Sequence, residues 1–248
     1  MMWLRLVRGE LRKLTTTKMP WGFFAVLVLI AGIDAAVVMF GTDMDGSKGF
    51  IASAADQQSL MAFAFNAMLG TGLFGAIAVA REYGHNTVVP TFLTSPKRSR
   101  AVLAQLTAVL LGGAVLGLVG QALIISGVAL ALPSTEYGFM VSAGNVTQLL
   151  AASTLAGAVG AVLGAGLGAL IRNLGGAVTA VVLALFMIPP LIVQLVSDAG
   201  SWIPPTLGAV ISGVSTEVNL WAALAALIAY GLLPAALGLM AVQRRDVV

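Results

Sequence analysis

Long apolar runs interrupted by single charges set the pattern of this chain. Charge-free stretches cover residues 19–33 (continuing past Asp34 to Phe40), 57–80, 101–135, 137–171, 173–197 and 218–243. A helix needs about 20 mostly apolar residues to cross a hydrocarbon core, so each run is read as one crossing. Turn residues trim the two longest runs: Pro133-Ser134 closes the third helix, and Ser142-Ala143-Gly144-Asn145 precedes the fourth. The expected fold is all-α and integral to a membrane, one transmembrane domain over residues 1–248 with six helices near 20–40, 59–80, 101–132, 146–171, 175–196 and 219–242. Transmembrane barrels show alternating segments of about ten residues, and none occurs here.

Three stretches read differently. In residues 2–18, Trp3, Leu4, Val7, Leu11 and Leu14 recur at helical spacing, with Arg5, Arg8, Arg12 and Lys13 mostly off that stripe. Such an amphipathic helix lies in the membrane interface with its cations towards anionic lipid; it also serves as a basic orientation signal, and the two readings are compatible. Residues 197–218 are apolar but short. Trp202 and Pro204-Pro205 mark an interfacial turn, and Leu207, Val210, Ile211 and Val214 then predict a short re-entrant or interfacial helix before the last span. Residues 81–100 form a loop too long for a simple helical hairpin, in which Asn86 and Thr87 would cap a short helix running to Leu93 and ended by Pro96. Within the fifth span, Pro189-Pro190 is expected to kink or break the helix.

Charge orients these elements. With the N-terminus inside, 12 of the 13 Lys and Arg residues fall on one side and only Lys48 on the other, which makes both termini cytoplasmic. The outer loops instead carry Asp43, Asp45, Asp56, Glu136, Asp198 and Glu217. The basic start followed by an apolar run also resembles a signal peptide, but the run through Phe40 is long for one, and a retained first span is expected. Composition agrees: 59% hydrophobic and 9% charged residues, with a mean hydropathy of +0.99. A soluble domain carries about 25% charged residues, so a soluble enzyme, a disordered chain and a nucleic-acid binder are excluded. With no Cys, thiolate catalysis and Cys-ligated metals are excluded too.

Little other chemistry emerges. Gly41-Thr-Asp-Met-Asp-Gly46 approaches a phosphate-binding loop, but Ser47 stands where Lys is needed. Asp43-Met-Asp45-Gly46 lacks the remaining ligands of a calcium loop and reads as a solvated acidic turn. His85 is the sole histidine, so one chain holds no multi-His metal site. Asn145-Val-Thr147 fits a glycosylation pattern. No nucleophile–base set is visible, and the chain is expected not to be an enzyme by itself.

Polar groups within the spans are the pathway candidates. Asp34 either faces the bundle interior or reaches the outer interface. Asn66, Gln121 and Gln194 are lesser candidates for which interhelical hydrogen bonds are favoured. Arg172 and Asn173 mark the turn between spans four and five, where snorkelling would explain the charge. Gly160, Gly164 and Gly168, with Gly157 and Gly166 beside them, make a smooth strip, and Gly113 and Gly117 a smaller one. Packing within the protomer is the favoured reading and a homodimer seam the alternative.

The amphipathic start, the six spans and the segment Glu82-Tyr83-x-x-Asn86-Thr87…Thr94-x-Pro96-Lys97-Arg98 together resemble the permeases of ATP-binding-cassette (ABC) type-2 exporters. Bacterial members commonly show Glu-Tyr-x-x-Gly-Thr followed by Thr-Pro-x-Arg-Arg. This chain has Asn86 for the glycine and Ser95 inserted before the proline. The resemblance implies two permease copies, alike or homologous, in a bacterial plasma membrane, with separate nucleotide-binding ATPase subunits below that carry ATP and Mg while this chain holds no cofactor. It implies that Glu82, Tyr83, Asn86, Thr87, Thr94, Pro96, Lys97 and Arg98 belong to a coupling element contacting the ATPase. Phe92 and Leu93 would add apolar contact there. The expected cargo is a hydrophobic or amphipathic molecule (a drug, lipid or peptide). The rival readings are an ATPase-independent secondary transporter or channel, and a non-transporting scaffold or sensor.

Overall fold

A computed structural model describes residues 2–84 and 98–244, and every regular element among them is helical. We number the helices α1 (Met2–Thr16), α2 (Met19–Phe40), α3 (Ala54–Leu60), α4 (Ala64–Gly84), α5 (Arg98–Ala131), α6 (Ala143–Ile171), α7 (Leu174–Leu195), α8 (Pro204–Ile211) and α9 (Leu220–Arg244). Six segments are long and apolar enough to cross a membrane: α2, α3 with α4, α5, α6, α7 and α9. The chain is an all-α, multi-pass membrane protein.

The second span differs from expectation at both ends. It is preceded by α3, a separate helix that Ser53 and Asp56 begin with a reciprocal capping box. After a break at residues 61–63, α4 runs on to Gly84, so Glu82 and Tyr83 belong to the last turn of a helix rather than to the following loop. At the far side of that loop α5 already begins at Arg98. The short helix expected from Asn86 to Leu93 lies outside the described residues.

Helix α6 is the hub. Two thirds of its most apolar window (67%) is buried in the protein, against 11% for α2, which turns most of its surface outward. The glycines make this burial possible. A Cβ on Gly160 or Gly164 would run into the backbone carbonyls of Met68 and Gly72, and one on Gly168 would lie 3.0 Å from the Ala76 carbonyl, so this strip receives α4. Gly157 meets Gly113 and Gly117 of α5. Gly166, two residues and thus about 200° from Gly164, faces Pro234 and Gly238 of α9 instead. One sequence motif therefore serves different contacts, all within the protomer. Backbones in contact gain dispersion energy where lipid offers no hydrophobic drive.

The proline pair does not break α7. A π-helical turn over Leu183–Met187 precedes it, in which the Ile188 N–H reaches the Leu183 carbonyl, and the helix resumes over Ile188–Leu195. Widening the turn shifts the hydrogen bonds by one residue ahead of the two positions that have no N–H to give. Helix α8 fills the expected short segment before the last span, with Leu207, Val210 and Ile211 buried.

Candidate functional site

Side-chain contacts sort the bundle into two ends. At one end α1 lies along α5, Lys13 of α1 reaches Glu82 of α4, and Arg172 at the α6–α7 turn meets both Tyr83 of α4 and Ala241 of α9. At the other, Gln57 and Gln58 of α3 bond to Gly138 and Ser212 in two different connections. Both ends of the described chain lie at the first, basic end. Arg5, Arg8, Arg12, Lys18, Arg81, Arg100 and Arg244 join it, while Lys48 sits at the opposite end and donates to the Val38 and Met39 carbonyls that finish α2.

At the basic end α1 is docked rather than merely laid on the surface. Val7 and Glu10 are buried, whereas Trp3 and Leu4 of the same predicted stripe remain exposed. The residue that turns is therefore Glu10, an acid on the protein-facing side. It accepts from Lys13 at 2.8 Å, and Lys13 reaches on to Glu82 at 3.2 Å. Burial alone would lower the Lys13 pKa, but the hydrogen bond and charge of Glu10, with the charge of Glu82, hold it above the ordinary lysine value. With the folded value raised, this contribution is fully present below the ordinary lysine pKa and is lost only as pH rises through the folded one. Lys13 thus stays charged across physiological pH.

Arg172 holds specific partners at the α6–α7 turn. It takes a left-handed backbone conformation (φ 58°), closes α6 by donating its N–H to Gly168, and turns its guanidinium over the Tyr83 ring at 5.2 Å. Its Nη2 also points to the Ala241 carbonyl at 3.4 Å. The charge ties three helices at one level. Asn173 beside it caps α7 by accepting from the Gly176 N–H.

Of the coupling residues expected from sequence, Glu82 and Tyr83 hold intramolecular contacts, to Lys13 and Arg172 respectively. Asn86, Thr87, Phe92, Leu93, Thr94, Pro96 and Lys97 lie outside the described residues, and Arg98 opens α5. The pathway candidates separate. Gln121 is fully buried and bridges helices, donating to the Met61 carbonyl at 2.8 Å and accepting from Ser153 Oγ at 2.7 Å. Asn66 is exposed on α4 and lines an apolar slot, Gln194 is exposed on α7, and Asp34 is half-buried on α2, one turn on from the slot residue Ile30. That slot is lined by Asn66 but not by Asp34, Gln121 or Gln194.

The opposite end holds polar groups that sequence reading missed. Gln57 Nε2 donates to the Ile51 and Gly138 carbonyls while its Oε1 accepts from the Met140 N–H. Gln58 donates to the Ser212 carbonyl and accepts from Asn145, which gives the residue of the glycosylation pattern a packing role. The Ser53-x-x-Asp56 capping signature was the available signal that a helix starts there. The Asp43–Ser47 stretch is a closed turn: the Asp45 carboxylate accepts from the Ser47 N–H at 2.9 Å, and Gly46 takes φ +81°. Among the described residues no group of three His, Cys, Asp or Glu side chains could hold a metal ion.

What fold and site define is a six-span helical membrane protein with a basic, ion-paired end and a hydrogen-bonded opposite end. No protein-family model matches the chain, and no curated protein matches it either.

Proposed function

We propose that this chain is the permease subunit of an ABC type-2 exporter, working as a dimer with separate ATPase subunits in a bacterial plasma membrane and moving a hydrophobic or amphipathic molecule out of the cytoplasm. The observation that carries this reading is the strut from α1 through Lys13 to Glu82, in the last turn of α4 directly before the loop that bears Asn86-Thr87 and Pro96-Lys97-Arg98. A subunit driven from below needs its receiving loop tied rigidly to the spans. An ion pair between an interfacial helix and the end of a span supplies such a tie, and the glycine-packed α4–α6 contact continues it into the bundle. The basic end is cytoplasmic in this reading, because membrane proteins retain Lys and Arg on that side. ATP and Mg belong to the partner subunit.

The chain has no Cys, so orientation is open to a direct check. Thr16→Cys and Ser47→Cys, both at exposed positions, are treated in intact cells with an impermeant thiol reagent. Position 47 is expected to label and position 16 to stay protected; the reverse pattern inverts the topology. Coupling is tested by Phe92→Asp together with Leu93→Asp. The double variant is expected to insert normally but to lose ATPase association, or to uncouple hydrolysis from transport. Charge reversal at Lys97 and Arg98 should have a smaller, salt-sensitive effect, since rim charges mainly steer encounter. Full assembly and full transport by the double aspartate variant would remove the coupling assignment.

A further inference from the structure

Helix α2 leans on α5, and its face towards α4 is left open. A slot of about 190 Å³ occupies that seam, between Phe23, Leu27 and Ile30 of α2 and Ala67, Gly70 and Leu73 of α4, and its surface is almost wholly apolar. The α2 residues on it, Phe23, Val26, Leu27 and Ile30, recur at i, i+3, i+4 and i+7, which is one face of a helix. Asp34 continues that face one turn further on. It is half-buried, and among the described residues it makes neither a hydrogen bond nor an ion pair. Lys48, the cation at that end, is held by the Val38 and Met39 carbonyls instead. Asp34 stands about 9 Å before the end of α2, beneath the surface of the ~30 Å hydrocarbon core that this helix just spans. A carboxylate at that depth is costly unless a counter-charge comes to it.

We propose that the α2–α4 seam binds a cationic amphiphile, with its alkyl chain in the slot and its ammonium group against Asp34. The shape selects a chain. Phe23 to Ile30 covers about 10 Å along α2, while the volume is well below the roughly 300 Å³ at which pockets begin to enclose drug-sized ligands. A helix of a second copy, about 10 Å across, cannot enter such a slot. The charge selects the head. In a poorly screened setting one unpaired carboxylate attracts a cation, gains nothing from a neutral head and repels an anion. An acyl chain of ordinary lipid would fill the slot but leave Asp34 without a partner. As a binding site the seam does not depend on the exporter reading; with that reading it gives the cargo a positive charge.

The test places the full chain in phosphatidylcholine nanodiscs and titrates it with radiolabelled decylammonium at neutral pH, with empty discs correcting for partition into lipid. Saturable binding of one molecule per chain is expected, competed by the unlabelled cation but not by decanol or decanoate. Asp34→Asn should weaken it about ten-fold, as loss of one charge-assisted contact does, while Asp34→Glu should stay within about two-fold. Gly70→Leu should weaken binding as well. A Cβ there meets nothing within 4 Å, so the side chain fills the slot without a clash, and an unchanged melting temperature would verify this. Gly70→Ala, a smaller addition, carries that half of the test if the leucine variant fails to fold. Competition by decanol equal to that of decylammonium, or indifference to Asp34→Asn, overturns the proposal and returns the slot to the acyl chains of bulk lipid. Binding that depends on Asp34 but is unmoved by filling at Gly70 overturns it too, since the cation would then be held without the slot.

Discussion

Gly164→Leu is expected to prevent the bundle from assembling stably. The Cβ alone would enter the backbone of Gly72, and neither helix can retreat, because α6 is held at the same time by α5 through Gly157 and by α9 through Gly166. Overpacking costs about 1–3 kcal/mol when side chains can adjust, and a collision with backbone belongs at the top of that range. In detergent this corresponds to a melting temperature lower by roughly 6–12 °C for a chain of this size. Even Gly164→Ala should destabilise. Gly22→Ala is the control: nothing lies within 4 Å of its added Cβ, so the better helix propensity of alanine should leave stability unchanged or slightly raised. Equal melting of the Gly164 and Gly22 variants would mean that α4 does not lie on the glycine strip.

Gln57→Leu is expected to have the second-largest effect, at the other end of the molecule. Gln57 has no exposed surface, and its amide holds the Ile51 and Gly138 carbonyls and the Met140 N–H, three backbone groups outside regular helix hydrogen bonding. A buried polar group left without a partner costs about 1–3 kcal/mol, so the loss should reach at least the single-group figure even if water reaches some of them. The expected readouts are a lowered melting temperature and faster proteolysis in the 41–53 and 132–142 connections, with the basic end unaffected. Gln194→Leu, at an exposed position on α7, should change neither. If both glutamine variants behave alike, α3 is not what holds the two connections together.

The spans were legible because each must present about 20 apolar residues to lipid, a requirement that acts on the linear chain. Ser142 and Asn173 were legible for a related reason. They were read as turn residues, and a cap works within four residues, so sequence neighbours suffice: both side chains accept a backbone N–H three residues on. The glycine strip marked a close approach, yet it carried no address. Gly157, Gly164 and Gly166 meet α5, α4 and α9 because three helices surround α6, which spacing alone cannot express. The proline pair was expected to kink or break its helix, and the π turn that precedes it lies in residues that look like ordinary span sequence.

By itself the sequence determined the number of spans and the class of membrane protein, since these follow from transfer of whole segments between water and lipid. Only the tertiary structure decided what the isolated polar groups do. Glu10 faces the protein, Gln121 bridges the Met61 carbonyl and Ser153, and Arg172 lies over the Tyr83 ring. Gln121 and Arg172 find partners far away in sequence, 60 and 69 residues off, as do Lys13 with Glu82 (69) and Gln57 with Gly138 (81), whereas Glu10 pairs with Lys13 only three residues on. A charge or amide in an apolar setting is driven to find a hydrogen bond, but the chain folded in three dimensions determines which one is within reach.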